Sequence, residues 1–171
     1  LDFDLKKIKL TLDLFNFKID AKTVGATIYY SKRPLSLEYI KTQVSLSSLI
    51  KKKIISSKIK IATKSILIND LIKFIRATNN KPELFILERF IKKGYVVLNL
   101  KLSLDENGNL KNDYEINGLL KEGKIDILTK NSFENINFNF NFKKDDYFFD
   151  QIKFSTEKID FFSKSLSLKK K

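Results

Sequence analysis

The segment between Tyr95 and Leu104 constrains the fold more than any other part of this sequence, because its apolar residues follow a period of two. These apolar residues are Val96, Leu98, Leu100, Leu102 and Leu104. Successive side chains of an extended chain point to opposite faces, so all five lie on one face of a strand. The dipeptide Asn107-Gly108 follows and is typical of a tight hairpin turn. The segment therefore predicts a strand with one apolar face, followed by a hairpin.

The same alternation recurs along most of the 171 residues. It occupies even positions from Ile8 to Leu14, and again from Ile136 to Phe142, where asparagines alternate with the apolar residues. Strands separated by turn signals at intervals of roughly 8–12 residues are typical of an all-β protein. We expect a mostly β fold: a long, curved, antiparallel sheet that is groove-like and has open edges.

Helical spacing interrupts this pattern at about 69–93. Leu71, Ile72 and Ile75 share one face of a helix. Pro82 suits the first turn of a second helix, and Gly94 suits the position just past its end. The sequence thus predicts a small two-helix insertion at about 69–93 within a single β-rich domain that covers residues 1–171. Since both termini fall in alternating stretches, we expect the chain to be a fragment of a longer, repeat-built protein.

Residue types that support most enzyme chemistry are missing. The chain has no histidine and no cysteine, so histidine-based triads, histidine-based zinc sites and thiol catalysis are not available. The acidic pairs Asp105-Glu106 and Asp145-Asp146 could serve as the acid and base of a glycosidase. They fall in predicted hairpin turns, however, where solvated carboxylates are ordinary. The sequence predicts a non-enzymatic protein with no cofactor and no metal site.

The net charge of +13 suggests an anionic partner. Nearly all of the basic residues are lysine, whereas arginine is the residue that forms bidentate phosphate contacts. Phe138, Phe140 and Phe142 could form a platform on which bases stack, but leucine and isoleucine show the same alternation elsewhere, which favours an ordinary core face. A basic β-domain that binds nucleic acid is therefore a disfavoured alternative.

Several stretches resemble the AsmA-like periplasmic proteins. One is the run Gln43-Val-Ser-Leu-Ser-Ser-Leu-Ile-Lys-Lys-Lys53, followed by the strand pair Lys58–Ile61 and Ser65–Ile68. In that family a strand leads into a short helical turn, here predicted at Ser47–Lys53, and then into further strands and a small helical insertion. The segments 94–127 and 154–168 also resemble the repeating sheet of that family.

This resemblance implies a Gram-negative periplasmic protein, attached to the inner membrane by an anchor outside the sequence given. It also implies an elongated, groove-like sheet. The larger members of the family are similar to bridge-type lipid carriers, which move phospholipid between the inner and outer membranes or serve outer-membrane biogenesis. The family has no fixed active-site residues, so none is transferred to this chain.

An uncovered apolar trough suits lipid transport, because each methylene exposed to water costs about 0.8 kcal/mol. The expected partner is therefore the acyl chains of phospholipids. The same residues could instead pack against the helices as a closed core, and the domain could be a structural or adhesive β-repeat. The candidate residues of the trough are Val96, Leu98, Leu100, Leu102, Leu104, Ile125, Ile127, Phe138, Phe140 and Phe142.

Overall fold

The computed structural model describes residues 2–30, 33–46, 58–78, 81–105, 109–127 and 131–169. Twelve strands in this part of the chain join one open antiparallel sheet, which confirms the predicted mostly β fold. The strands are Asp2–Asp4 (β1), Lys7–Asp13 (β2), Lys18–Val24 (β3), Thr27–Tyr30 (β4), Arg33–Ser45 (β5), Lys58–Thr63 (β6), Ile66–Leu67 (β7), Ile91–Ser103 (β8), Glu115–Ile127 (β9), Asn131–Lys143 (β10), Asp146–Ser155 (β11) and Asp160–Lys169 (β12). The helices are Ile68–Thr78 (α1) and Pro82–Phe90 (α2).

From β8 to β12, strands that are neighbours in sequence are also neighbours in the sheet. The order from β5 runs β6, β8, β9, β10, β11 and β12, and β7 extends the line of β6 beside β8. On the other side of β5, β3 and β4 share its edge, while β2 and β1 pair with them in turn. Gly25 joins β3 to β4 with a φ of 69°, in the left-handed region that favours glycine. Within the described residues, β1, β2, β7 and β12 each pair with one strand only; β12 forms one edge of the sheet, and β1 and β2 form the other.

A line of β-bulges crosses four neighbouring strands at one level. Glu122 in β9, Asn135 in β10 and Gln151 in β11 have φ values of 52°, 51° and 50°, and the register between strands β8 to β11 shifts beside them. A bulge inserts one residue and bends its strand. In a regular strand, Phe133 and Phe138 of β10 would point to opposite faces, because one position is odd and the other even. The bulge lets both pack against the same buried cluster. The bulges therefore keep apolar residues on one face through each change of phase.

The first helix lies against the sheet near the start of β8. Ile68 and Leu71 of α1 pack around a cluster that includes the buried side chain of Val96. The second helix is joined to α1 by the ion pair between Arg76 and Glu88. None of the helices in the described residues is both long and apolar enough to cross a membrane.

The predicted insertion ends three residues later in the sequence than the helices do. Ile91 is already extended (φ −78°, ψ 117°), and β8 begins there. Gly94 lies inside β8 with a φ of 147°, rather than just past a helix end. An added Cβ on Gly94 would lie 3.3 Å from the Cα of Gly123 in β9, so close approach of two strands accounts for this glycine.

Two predicted turns fall outside the described residues. The helical turn at Ser47–Lys53 is one of them, and the dipeptide Asn107-Gly108 is the other. On either side of that dipeptide, the Asp105 N–H donates to the Asn109 carbonyl at 2.8 Å, and Leu104 forms an antiparallel bridge with Leu110. The chain thus reverses direction between Leu104 and Leu110, as expected for a hairpin connection.

Candidate functional site

One row of side chains crosses the whole sheet and is apolar at eight of its nine positions. Each member lies directly opposite the next one on the neighbouring strand, from β2 to β12. Strand pairing places such residues about 5 Å apart on one face. We call this set the apolar row: Ile8, Thr23, Ile40, Ile61, Leu100, Ile116, Phe142, Tyr147 and Leu168.

Residues two or four positions further along several strands extend the row into a broader apolar face. Leu10 and Leu12 do so on β2, Leu98 on β8, and Leu166 on β12. Because this side of the sheet carries apolar side chains from both edges to the centre, it is the largest chemical feature of the described residues. We refer to it as the apolar face.

Coverage of the apolar face differs between its centre and its edges. At the centre, Phe140 is only 8% exposed, and α1 covers the cluster around Val96. At the edges, Leu10 is 69% exposed and Leu166 is 48% exposed. The face is therefore a packed core where the helix lies and an uncovered hydrocarbon surface towards both edge strands.

Aromatic rings fill the part of the apolar face formed by β10 and β11. The ring centroids of Phe140 and Phe142 are 5.0 Å apart, and those of Phe142 and Phe149 are 5.4 Å apart. Tyr147 joins the same group, with its ring 5.4 Å from that of Phe142. Edge-to-face and offset contacts of this kind stabilise packing beyond simple burial. Because these rings pack on one another, they form a continuous part of the apolar face.

The structure places most of the predicted lining residues on this face. Val96, Leu98, Leu100 and Leu102 lie along β8, and Phe138, Phe140 and Phe142 lie along β10, with β9 between them. Ile125 packs against the same buried cluster from beyond the bulge. The two remaining members are peripheral: Ile127 is 43% exposed at the end of β9, and Leu104 lies past the end of β8.

Sequence reasoning missed much of the apolar face. Ile8, Ile61, Ile116 and Tyr147 belong to the apolar row but were not among the candidates. Alternation in a strand reveals which residues share a face of that strand, but it does not reveal which strands lie side by side or in which register. Pairing each alternating stretch with the next one across its predicted turn could have identified these residues.

The opposite side of the sheet carries a second row, one residue along, which is charged throughout. Its members also lie directly opposite one another from strand to strand. We call this set the charged row: Lys9, Lys22, Lys41, Lys60, Lys101, Glu115, Lys143, Asp146 and Lys169.

Glu115 is the most strongly perturbed group of the charged row. Its carboxylate accepts a hydrogen bond from the Lys101 ammonium at 2.8 Å and from the Asn141 amide at 3.2 Å. Lys143 approaches the same carboxylate at 3.4 Å. The bond from Lys101, with the further contributions of Asn141 and Lys143, lowers the pKa of Glu115 from 4.5 to about 2. The carboxylate is thus held in its charged form by cations on both neighbouring strands.

One member of each acidic pair considered for acid–base chemistry has a structural partner. The Asp105 carboxylate accepts a hydrogen bond from the Asn109 N–H at 2.8 Å, and Asp146 lies 3.7 Å from the Lys169 ammonium. Among the residues that the structure describes, no group of three or more acidic side chains could hold a metal ion. What this arrangement offers chemically is two contrasting surfaces, one of hydrocarbon and one of ammonium groups.

Comparisons with protein-family models, with curated proteins and with solved structures found no match for this chain.

Proposed function

We propose that the apolar face shields the acyl chains of phospholipids and that the domain is a non-enzymatic, AsmA-like element of phospholipid transport. The observation that supports this most is the apolar row, which runs through nine strands from edge to edge. The face is uncovered towards both edge strands, and exposed apolar surface of this kind marks a site that binds a hydrophobic partner.

The dimensions of the apolar row suit an acyl chain. Nine strands have eight spacings of about 4.8 Å, which gives a row roughly 38 Å long. A single leaflet contributes about half of the ~30 Å hydrocarbon thickness of a bilayer, so the row is longer than one extended acyl chain. Because burying each methylene gains about 0.8 kcal/mol, a chain lying along the row would gain several kcal/mol over water.

The cellular setting belongs to the same proposal and rests on the AsmA-like resemblance. In this setting the domain lies in the periplasm, a segment outside the given sequence anchors it to the inner membrane, and phospholipid moves along the apolar face towards the outer membrane. Transport for outer-membrane biogenesis would follow from the same property of the face. The head groups would stay in water at the ends of the strands.

The test uses the full-length protein, purified gently and examined by native mass spectrometry for bound phospholipid. Leu10→Glu and Leu166→Glu place a charge on the exposed ends of the apolar face, and bound lipid should fall strongly. Thr11→Glu and Ser165→Glu are matched controls, since they place the same charge on the same strands but on the opposite face. Transfer of a labelled phospholipid between vesicles gives the corresponding functional measurement.

The result also separates the competing functions. Absence of bound phospholipid, with no transfer between vesicles, would overturn the proposal. Self-association that Leu10→Glu abolishes would indicate a structural or adhesive β-repeat, in which another copy covers the apolar face. Nucleic-acid binding is disfavoured because the phenylalanine cluster and the lysines of the charged row lie on opposite faces, so one strand of nucleic acid could not contact both.

A further inference from the structure

We propose that the lysine half of the charged row docks on the surface of an anionic phospholipid bilayer. This lysine row consists of Lys9, Lys22, Lys41, Lys60 and Lys101, and it lies on the side of the sheet opposite the apolar face. The inference concerns a different surface from the proposed lipid-carrying one and does not depend on it.

The sequence of charges along the charged row is the main observation. From Lys101 to Lys169 the charges alternate in sign, and Glu115 and Asp146 each lie between two lysines. From Lys9 to Lys101 every residue is a lysine that faces another lysine directly. Like charges directly opposite each other in a sheet are destabilising. In the half from Lys101 to Lys169, opposite charges therefore face each other and stabilise the pairing. In the half from Lys9 to Lys101, like charges face each other at every pair of neighbouring strands.

Neighbouring groups neutralise only part of this positive charge. Asp20 forms an ion pair with Lys41 at 3.4 Å, and the Lys22 ammonium lies over the ring of Tyr39 at 5.0 Å from its centroid. Lys9 and Lys60 have no carboxylate within ion-pair distance among the described residues, and both are exposed. The lysine row therefore keeps free ammonium groups that can attract an external anion.

A second observation places several of these ammonium groups around one depression. Lys41, Lys58, Lys60 and Lys101 line a hollow of about 380 Å³ between β5, β6 and β8. Asp113 and Glu115 lie at its side towards β9. Three members of the lysine row therefore line this hollow together with Lys58 of β6, and these four lysines outnumber its two carboxylates.

The chemistry of the lysine row favours a bilayer surface over other polyanions. Lysine is a flexible point charge, which suits an array of mobile head groups, whereas arginine suits the fixed geometry of bidentate phosphate contacts. A row in a sheet also presents its charges side by side along a line, about 4.8 Å from strand to strand. Anionic lipid surfaces attract basic residues additively, and the attraction is weakened by salt.

The experiment measures sedimentation of the full-length protein with phosphatidylcholine vesicles, with and without one-third phosphatidylglycerol. If an anchor lies outside the given sequence, it is removed by cleavage next to it in both proteins compared. The test variant is Lys9→Gln, Lys22→Gln and Lys60→Gln together, which leaves the two carboxylate pairs of the row intact. The matched control is Lys73→Gln, Lys121→Gln and Lys164→Gln together, which removes the same charge elsewhere.

We expect binding to the phosphatidylglycerol vesicles that falls with salt and is weak on pure phosphatidylcholine. Each lysine near such a surface strengthens binding about fivefold, so the test variant should bind on the order of 100-fold more weakly. The control variant should lose far less. Equal losses in the two variants would overturn the proposal, because net charge alone would then account for binding. Binding to single-stranded DNA in preference to the anionic vesicles would overturn it as well.

The outcome is distinguishable from failure of the proposed function. The lysine variant should still co-purify with phospholipid, and Leu10→Glu should still sediment with anionic vesicles, because the two sets of residues lie on opposite faces. If the apolar face held no lipid, the lysine row would still be testable on vesicles in the same way.

Discussion

Gly118 of β9 lies directly beneath the ring of Phe140 of β10. A Cβ added to Gly118 would lie 2.9 Å from Cζ of Phe140 and 2.1 Å from the backbone oxygen of Val97. The aromatic ring thus occupies the space that a side chain at position 118 would need, in the middle of the apolar face. We expect Gly118→Ala to destabilise the protein by about 3 kcal/mol, since strands β8 and β9 cannot separate without losing pairing. Urea unfolding measures this change.

A control for Gly118 is available one residue earlier. Asn117→Ala lies on the opposite face of the same strand, where Asn99 and Asn141 are its cross-strand neighbours. It should change stability by less than about 1 kcal/mol. Similar losses for both variants would show that β9 tolerates no substitution at all, and that the contact with Phe140 has no special role.

Thr23 is the single polar member of the apolar row. It is buried, and its hydroxyl has no hydrogen-bond partner among the described residues. Because a buried polar group without a partner costs about 1–3 kcal/mol, Thr23→Val should stabilise the protein by about 1 kcal/mol in urea or thermal unfolding. Thr42→Val is the control, since Thr42 lies on the same face but is only half-buried. A gain no larger at position 23 than at position 42 would contradict the explanation.

The lowered pKa of Glu115 predicts how stability depends on pH. A group with a folded-state pKa of about 2 and a model value of 4.5 stabilises the fold above about pH 4.5. That contribution is lost as pH falls from about 4.5 towards about 2. With solvent screening allowed for, Glu115→Gln should cost about 1–2 kcal/mol at neutral pH and little near pH 2.

Unfolding experiments across this range check the prediction for Glu115. Glu157→Gln is a suitable control, because Glu157 is exposed and forms no ion pair within the described residues. Its substitution should cost little stability at neutral pH. A Glu115→Gln protein that loses the same stability at every pH would instead indicate that shape, and not charge, matters at this position.

Gln151 holds a left-handed backbone conformation at the bulge of β11. Its φ of 50° costs an ordinary residue about 1–2 kcal/mol, whereas glycine adopts this region freely. Gln151→Gly should therefore stabilise the protein by about 0.5–1 kcal/mol, after the greater freedom of glycine in the unfolded chain is counted. Gln151→Ala should be close to neutral, since alanine has the same strain. Equal thermal stability of the glycine and alanine variants would argue against strain at this bulge.

Alternation predicted which residues share a face, and helical spacing predicted where the sheet is interrupted. Val96, Leu98 and Leu100 lie together as expected because a period of two is imposed by the geometry of the strand itself. The boundary between α2 and β8 at Ile91 was harder to predict from the sequence, because the extended conformation of Ile91 depends on pairing with β9. Local sequence therefore determined the faces, while pairing between strands determined one boundary.

The bulges and the exposure of the face could not be predicted in the same way. Glu122 and Gln151 adopt positive φ values, yet neither residue type signals such a conformation. Leu10 and Leu98 have the same alternation in sequence, but Leu10 is exposed because β2 is an edge strand. Exposure depends on a strand's place in the sheet, which alternation within one strand does not contain.

The pairing of consecutive strands from β8 to β12 makes this half of the sheet a linear assembly. Since β12 pairs only with β11 among the described strands, adding or removing an edge strand there would leave the strands at the centre in place. The apolar row would lengthen by about 4.8 Å with every strand added. The length of the apolar surface is therefore determined by the number of strands in the sheet. A protein built this way can span a given distance through the number of its strands alone.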